Sequence, residues 1–450
     1  MRLQLSDTIG CWASAATEYL HRGGYGGIEV TRGQADLTVT DSASRGNSEW
    51  RFTDAAGDPV NQSQWIVHAV AHREPVQLQL RSGDQILAAG VTDVRRSIVS
   101  TVAVALSSAG PLIEMALSDS TVPRPAVDRR PIGPPNARTA DLRANIALAG
   151  RVVRAAMTYR QWGVARLPAR TLDHLIERRQ LSGRLEWHSP PPSFFWADPT
   201  VVSHDGQCWL FLEELDRKTG RGHIRALRWL DGILQRGPVV YTTPHHLSYP
   251  QVQFVGGRWL ATVETCAAAN PILTFDSLGD PWRVCSDLSA LPPHMADPVV
   301  VFRSDGTPDR LISTDAMTGP DTNYVEHIYE EDRWVRDPCA TYVDITSARG
   351  GGTRDPLRGV RAVQDCAGGY GLRLGVVPDT DWSGTVYGEP LTRLDPDDVP
   401  RSDWQPAGVH TLTWTPDQEH VWIDGWRRQP SAVGGYRRIV ERRHLRQCEG

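Results

Sequence analysis

From about residue 190 to residue 430, short apolar runs alternate with polar positions and are broken by Asp-Gly, Gly-Gly and Gly-Asp pairs. Period-two alternation punctuated by tight-turn dipeptides predicts successive hairpins, the pattern of an all-β barrel, sandwich or propeller. Upstream the pattern differs. Trp65–Val70 and Pro75–Leu80 read as strands and Ser97–Met115 as a small-residue helix, so residues 1–120 are expected to form a small α/β domain. Five prolines between Thr121 and Pro135 mark a linker. After it Leu142, Ile146, Leu148, Val152 and Val153 recur at helical spacing, with Asp141 in the first turn and Arg154 in the last. Linker and connecting helix together fill residues 121–184, the β region 185–428 and an Arg-rich tail 429–450.

A repeat decides among the β architectures. Ala197-Asp198-Pro199, the turn Asp205-Gly206 and Trp209-Leu-Phe-Leu-Glu213 make one strand, a turn and a second strand ending in a carboxylate. The unit returns as Tyr249-Pro250, Gly256-Gly257 and Trp259–Glu264, and again as Ala296-Asp297-Pro298, Asp305-Gly306 and Leu311–Asp315. Starts about 50 residues apart suit four-stranded propeller blades. Further copies at Arg361–Asp365 and Gly408–Trp414 bring the expectation to a five-bladed β-propeller. The first strand of each blade lines the central channel, so Asp198, Tyr249, Asp297, Asp365 and His410 are expected to converge there. Proline is tolerated beside them because a strand's first residue loses no ladder bond.

Composition narrows the field of partners. A net charge of -5, with 40% hydrophobic and 22% charged residues, matches neither a disordered chain nor a polycation, which argues against nucleic acid. The C-terminal arginines Arg437, Arg438, Arg442, Arg443 and Arg446 read as a solvated helix face. Seven cysteines without a C-x-x-C pair indicate neither a zinc site nor a disulfide framework. No run of 18 apolar residues predicts a membrane span, and the N-terminus shows no apolar signal core, so a cytoplasmic protein is expected. Gly23, Gly24, Gly26 and Gly27 lack the spacing of a phosphate loop. Adjacent His245 and His246 would face opposite sides of a strand and are not expected to form a metal site; no ligand spacing demands a metal, an axial calcium held by carboxylates and water stays open, and no cofactor is predicted.

Several motifs in order carry a resemblance. Phe195-Trp-Ala-Asp198-Pro, Trp209–Glu214, His246-Leu-Ser-Tyr249-Pro, Glu264-Thr265, Ala296-Asp297-Pro, Arg361-Ala-Val-Gln364-Asp365-Cys, Tyr370-Gly371 and Gly408-Val-His410-Thr fall within the stretch from Trp187 to Gly425, about 240 residues. They resemble the propeller domain found at the N-terminus of glucosamine inositolphosphorylceramide transferases and in bacterial relatives, itself similar to glycoside hydrolase family 43. The resemblance implies carbohydrate chemistry. In some bacterial relatives a formyltransferase-like region precedes the propeller, and residues 1–120 are compatible with a reduced form of it, without an Asn-x-His-Pro-Ser-type motif.

Breaking or making a glycosidic bond needs an acid to protonate the leaving oxygen and a carboxylate on the opposite face, because the transition state is cationic at the anomeric carbon. The resemblance matches Asp198 to the base or nucleophile and Asp297 to a second Asp-Pro position; Glu264 or Glu213 is the acid, Glu264 preferred. Trp196 and Tyr249 are candidates to stack on a sugar ring, and His410 to bond a hydroxyl. Arg361, near Gln364, is expected to pair with Asp365 or clamp a phosphate or carboxylate of the substrate. Each feature also has a plain structural reading: Asp-Pro starts strands, Glu213, Glu214 and Asp315 can cap a blade, and Cys366 is more simply a core thiol. Three functions follow: glycosyl transfer during glycolipid, polysaccharide or glycosylated-metabolite synthesis, furanosidase-type hydrolysis, and sugar binding without catalysis. The partners implied are a sugar donor and a glycan, lipid or small-molecule acceptor, with room for a separate partner transferase.

Overall fold

The computed structural model describes residues 2–118 apart from 7–11, 23–28, 31–36, 41–48, 55–56, 61–63 and 96. It also describes isolated residues between 139 and 150, and residues 157–430 apart from 179–180, 182, 184, 266–269, 318–320, 380–389 and 401. The C-terminal arginines and most of the expected connecting helix lie outside the described residues.

The turn dipeptides fold as their chemistry dictates. Asp205-Gly206, Asp231-Gly232 and Gly256-Gly257 all have positive φ at both positions, the geometry that matches the right-handed twist of flanking strands. These turns, with Glu331-Asp332 in the third, help close the hairpins of three antiparallel four-stranded sheets. The first runs Phe194–His204, Gln207–Asp216, Arg221–Leu230 and Ile233–Tyr241; the second Leu247–Val255, Arg258–Thr265, Ile272–Phe275 and Arg283–Val284; the third Met295–Phe302, Pro308–Asp315, Asn323–Glu330 and Arg333–Val343. An eight-stranded sheet completes the set. One half is Gly350–Asp355, Val360–Asp365, Arg373–Pro378 and Thr392–Leu394; the other is Gly408–Trp414, Val421–Pro430, Thr158–Leu167 and Glu186–His188. The halves meet at one parallel bridge between Gly352 and Leu412.

The first strands adjoin in order, and Gly408–Trp414 returns to Phe194–His204, so the sheets close a ring. The chain is mainly β and propeller-like. Thr158–Leu167, in the segment expected to be linker and helix, instead pairs with Val421–Pro430 along its whole length and fastens the two ends of the ring. Its residues 161–165 are all buried, so it never shows the alternation that betrays a strand. Arg361–Asp365 was expected to be a channel-lining strand. It lies in the second strand of its group, the inner one being the glycine-rich Gly350–Asp355.

Among its described residues the N-terminal region folds as a six-stranded mixed sheet with four helices. Trp65–Val70, expected as a strand, is part of the helix Gln64–His72. Its buried Ile66, Ala69 and Val70 fall at i, i+3 and i+4, a pattern that a short apolar run cannot distinguish from a buried strand. Ser97 caps the next helix through its hydroxyl, and Ser108 divides the apolar stretch into Ile98–Ser107 and Ala109–Leu117. By length and composition Ile98–Leu117 could cross a membrane, but 67% of it is buried inside the protein, as in a core helix. Ala109–Leu117 packs on Arg333–Val343, and Tyr19, Leu112 and Ile113 share one core with Tyr324, Tyr342 and Val343 of the ring.

Candidate active site

Asp198, Tyr249 and Asp297 occupy the same place in three successive first strands, each in a bulge, each followed by proline and each left-handed, with φ of 52°, 47° and 49°. For residues other than glycine this costs roughly 1–3 kcal/mol apiece, and such strain concentrates where a side chain must be aimed. The bulge reverses the expected alternation. Trp196 is two residues before Asp198, yet it packs between the first and last sheets and donates to Glu214 at 2.9 Å, so it belongs to the core and not to a sugar platform. Burial opposes Glu214's charge, but hydrogen bonds from His223, Arg236 and Trp196, with the Arg225 guanidinium, hold its carboxyl well below the usual range.

Asp198 joins the opposite face. Its Oδ2 accepts from the Tyr249 N–H at 3.2 Å, and its own N–H donates to Asp424 Oδ2 at 2.9 Å. Asp424 Oδ1 accepts from the Thr411 N–H at 2.6 Å. His410 Nδ1 lies 3.1 Å from Asp424 and 3.2 Å from Asp198, and Nε2 lies 2.6 Å from the Tyr370 hydroxyl. Burial disfavours the imidazolium, yet the Asp424 and Asp198 charges raise His410 to about 10. Asp198, His410 and Asp424 place one ligand atom each within 4.8 Å of one another, a spacing able to hold a cation. Nδ1 itself lies between the two carboxylates, so a cation there would compete with the imidazole for them.

Glu264 accepts from the Asp297 N–H at 2.8 Å. Burial, then the neighbouring Asp297 charge, raise its carboxyl to about 8, so it is protonated at neutral pH while remaining half-buried. Burial and then Asp198 push Glu213 well above the carboxylate range too; it is more fully enclosed and lies 3.4 Å from His246. Asp297 is held by Arg349 at 2.6 Å and by the Gln364 amide at 2.9 Å, and Arg349 also binds Asp321 at 2.7 Å. Asp198, Asp297, Glu264 and Arg349 all act electrostatically on Tyr370, and Glu213 feels both Asp198 and Glu264, so these groups surround one centre.

Of the expected residues, Asp198, Glu213, Tyr249, Glu264, Asp297, Gln364 and His410 come together. Arg361 and Asp365 do not. Gln364 faces the centre, and residues one and three positions away point to the other side of the strand. Arg361 bonds the Tyr342 hydroxyl and lies over the Tyr324 ring, while Asp365 is taken up by Arg373 and Arg393. Tyr249 is buried against Gly352 and is not free to stack on a sugar. Trp162 and Phe195, 6.2 Å apart, form a small aromatic cluster beside the centre, Trp162 buried and 5.1 Å edge-on to His410 and Phe195 partly exposed. Sequence reading missed Trp162, Arg349, Tyr370 and Asp424 as site residues. Only Tyr370 had a signal, in the Tyr370-Gly371 motif.

No protein-family model and no curated protein matches the chain, so the transferase-type resemblance finds no counterpart there. Among solved structures, a thermostable family-43 glycoside hydrolase is similar at 13% identity with a TM-score of 0.34, over 53% of this chain and 91% of its own. The GH62 α-L-arabinofuranosidase catalytic domain of Coprinopsis cinerea gives 12% and 0.35, over 60% and 98%. The GH43 endo-arabinanase of Bacillus licheniformis gives 12% and 0.32, over 54% and 96%. Likenesses this slight decide nothing about function, for which the geometry of the acidic centre has to speak.

Proposed function

We propose that the ring is a five-bladed propeller that acts on glycosidic bonds, with Glu264 as general acid and Asp198 as the carboxylate opposite. One observation carries the reading: a half-buried carboxyl raised to about 8 shares a centre with a carboxylate fixed beside an imidazolium. Two acids whose environments push them apart are what leaving-group protonation and stabilisation of a cationic sugar require. Glu264 is preferred to Glu213 because Glu213 is the more enclosed. Asp297, gripped by Arg349 and Gln364, keeps Glu264 protonated through its charge.

The furanosidase-like reaction uses water as acceptor. The same groups serve glycosyl transfer when a glycan, lipid or small-molecule hydroxyl replaces it. A mass-spectrometric screen of aryl furanosides and pyranosides, sugar phosphates and nucleotide sugars tests the proposal. Free sugar or a new glycoside is expected from the wild type, with 10²–10⁴-fold less from Glu264→Gln and from Asp198→Asn. Equal turnover by wild type and both variants would remove these residues from the chemistry.

A further inference from the structure

The proposed chemistry leaves two features unused: Tyr370 and the N-terminal domain. Tyr370 has 37% of its surface exposed, whereas Asp198, Tyr249, His410 and Asp424 are at 5% or less. Its ring lies 4.7 Å from the Arg349 guanidinium, which Asp297 and Asp321 fix in place. Two carboxylates face His410 Nδ1, so that nitrogen carries hydrogen, and in the imidazolium Nε2 does as well. The phenol oxygen then accepts from Nε2, and its own hydrogen is free to point toward the open side.

The loop presenting Tyr370 is poor in intrinsic order. Gly368, Gly369 and Gly371 have φ of 85°, 148° and 67°, and glycine gives up the most freedom when fixed. Within the ring, Cys366 N–H donates to Ile345 O at 3.0 Å and Trp426 Nε1 to Gly371 O at 2.7 Å. Also from the ring, Arg160 Nη1 donates to Tyr370 O at 3.4 Å, Arg373 Nη2 to Ala367 O at 2.8 Å and the Val409 N–H to Leu372 O at 3.3 Å. Further supports come from the N-terminal region. Asp93 Oδ1 accepts from the Gly368 N–H at 3.4 Å, Val91 O accepts from Ile345 N–H at 2.8 Å, and the Val91 side chain packs on Ile345, Cys366 and Ala367. Gly90 lies so close to Val343 that an added Cβ would come within 2.6 Å of the valine Cβ, and Val91 forms a parallel bridge with Asp344 beside it.

We propose that Tyr370 donates a hydrogen bond to a sugar oxygen of the substrate, and that Asp93 and Val91 make the N-terminal domain a wall of the site by holding its loop. The sugar as ligand rests on the glycosidic reading; the holding of the loop does not. Asp93 acts through Tyr370 and is a positioning residue.

Full-length Asp93→Ala, Asp93→Asn and Tyr370→Phe test both halves. Tyr370→Phe is expected to lower kcat/KM about 10–100-fold with the melting temperature nearly unchanged. Asp93→Ala should lower it in the same direction, and Asp93→Asn, which keeps an acceptor for Gly368, should restore most of it. Independently of turnover, the ¹⁵N resonance of His410 Nε2 in histidine-labelled protein should move in both Tyr370→Phe and Asp93→Ala. A resonance unmoved by Asp93→Ala overturns the role of the N-terminal domain. Wild-type turnover that Tyr370→Phe leaves within twofold overturns the donor role. A wild type that turns over no glycoside and whose His410 resonance ignores sugars at high concentration removes the glycosidic reading and the donor role with it, while the Asp93→Ala resonance still decides what holds the loop.

Discussion

The Tyr249 hydroxyl bridges both backbone groups of Gly352, accepting from its N–H at 2.8 Å and donating to its carbonyl at 3.3 Å. Tyr249 comes from the second sheet and Gly352 from the fourth group of strands, so one phenol ties together two walls of the ring. This contact and the neighbouring strands explain why glycine occupies residues 350–352. A Cβ on Gly350 would lie 2.8 Å from that hydroxyl, one on Gly351 would strike the Val363 backbone, and one on Gly352 would sit 2.1 Å from Leu412 O.

Gly352→Ala is therefore expected to destabilise the protein by about 2 kcal/mol or more, because φ of 123° and a fixed carbonyl both oppose a side chain. Tyr249→Phe leaves the Gly352 N–H and carbonyl buried and unpaired, with a loss of about 1–3 kcal/mol. Urea denaturation measures both. A Gly352→Ala variant as stable as wild type would mean that the ring does not close around this contact.

Asp198→Asn separates fold from chemistry. The amide oxygen can still accept from the Tyr249 N–H, so the melting temperature should move by only a few degrees, while turnover falls about 10²–10⁴-fold. A large loss of stability with residual specific activity intact would assign Asp198 to the fold alone.

Much of this centre was legible because the strain has a sequence signature. Asp198-Pro, Tyr249-Pro and Asp297-Pro mark three equivalent bulges, and the dipeptides Asp-Gly and Gly-Gly mark turns that need positive φ. The rest was not, for physical reasons. The bulge at Asp198 breaks the period-two rule that would put Trp196 on the same face. The fourth first strand, Gly350–Asp355, carries glycines in place of an Asp-Pro or Tyr-Pro marker, since the Tyr249 hydroxyl, the Val363 backbone and Leu412 O leave no room for side chains. Trp162 and Asp424 are 262 residues apart and reach the centre only because Thr158–Leu167 and Val421–Pro430 pair, a contact no local pattern announces.

Where the N-terminal region meets the ring, Glu114 on the helix Ala109–Leu117 is buried with Arg336 at 2.9 Å and the Tyr19 hydroxyl at 2.5 Å. Burial raises Glu114 well above its usual range and lowers Arg336 to about 9, both toward the neutral form. Arg336→Met strands Glu114 and should cost about 3–5 kcal/mol, whereas the double variant Glu114→Gln with Arg336→Met should recover a large part of that. The double-mutant cycle is read from denaturant midpoints. Additive effects would mean that the two side chains do not couple across the junction.

Glu264 sets a pH dependence whose direction follows from its raised carboxyl. In the unfolded chain it loses its proton near 4.5, and in the folded protein near 8. Between those values the folded state holds a proton that the unfolded state has released, so stability falls as pH rises through that window. Glu264→Gln keeps the neutral form at every pH. Relative to wild type it should therefore gain stability between pH 5 and pH 8, which chemical denaturation across that range will measure. Activity should follow the same group, declining above about pH 8 as the proton needed by the leaving oxygen is lost. Parallel stability profiles for wild type and Glu264→Gln would show that Glu264 is already ionised at neutral pH. The acid would then have to be sought at Glu213, whose carboxyl is raised by burial and by Asp198.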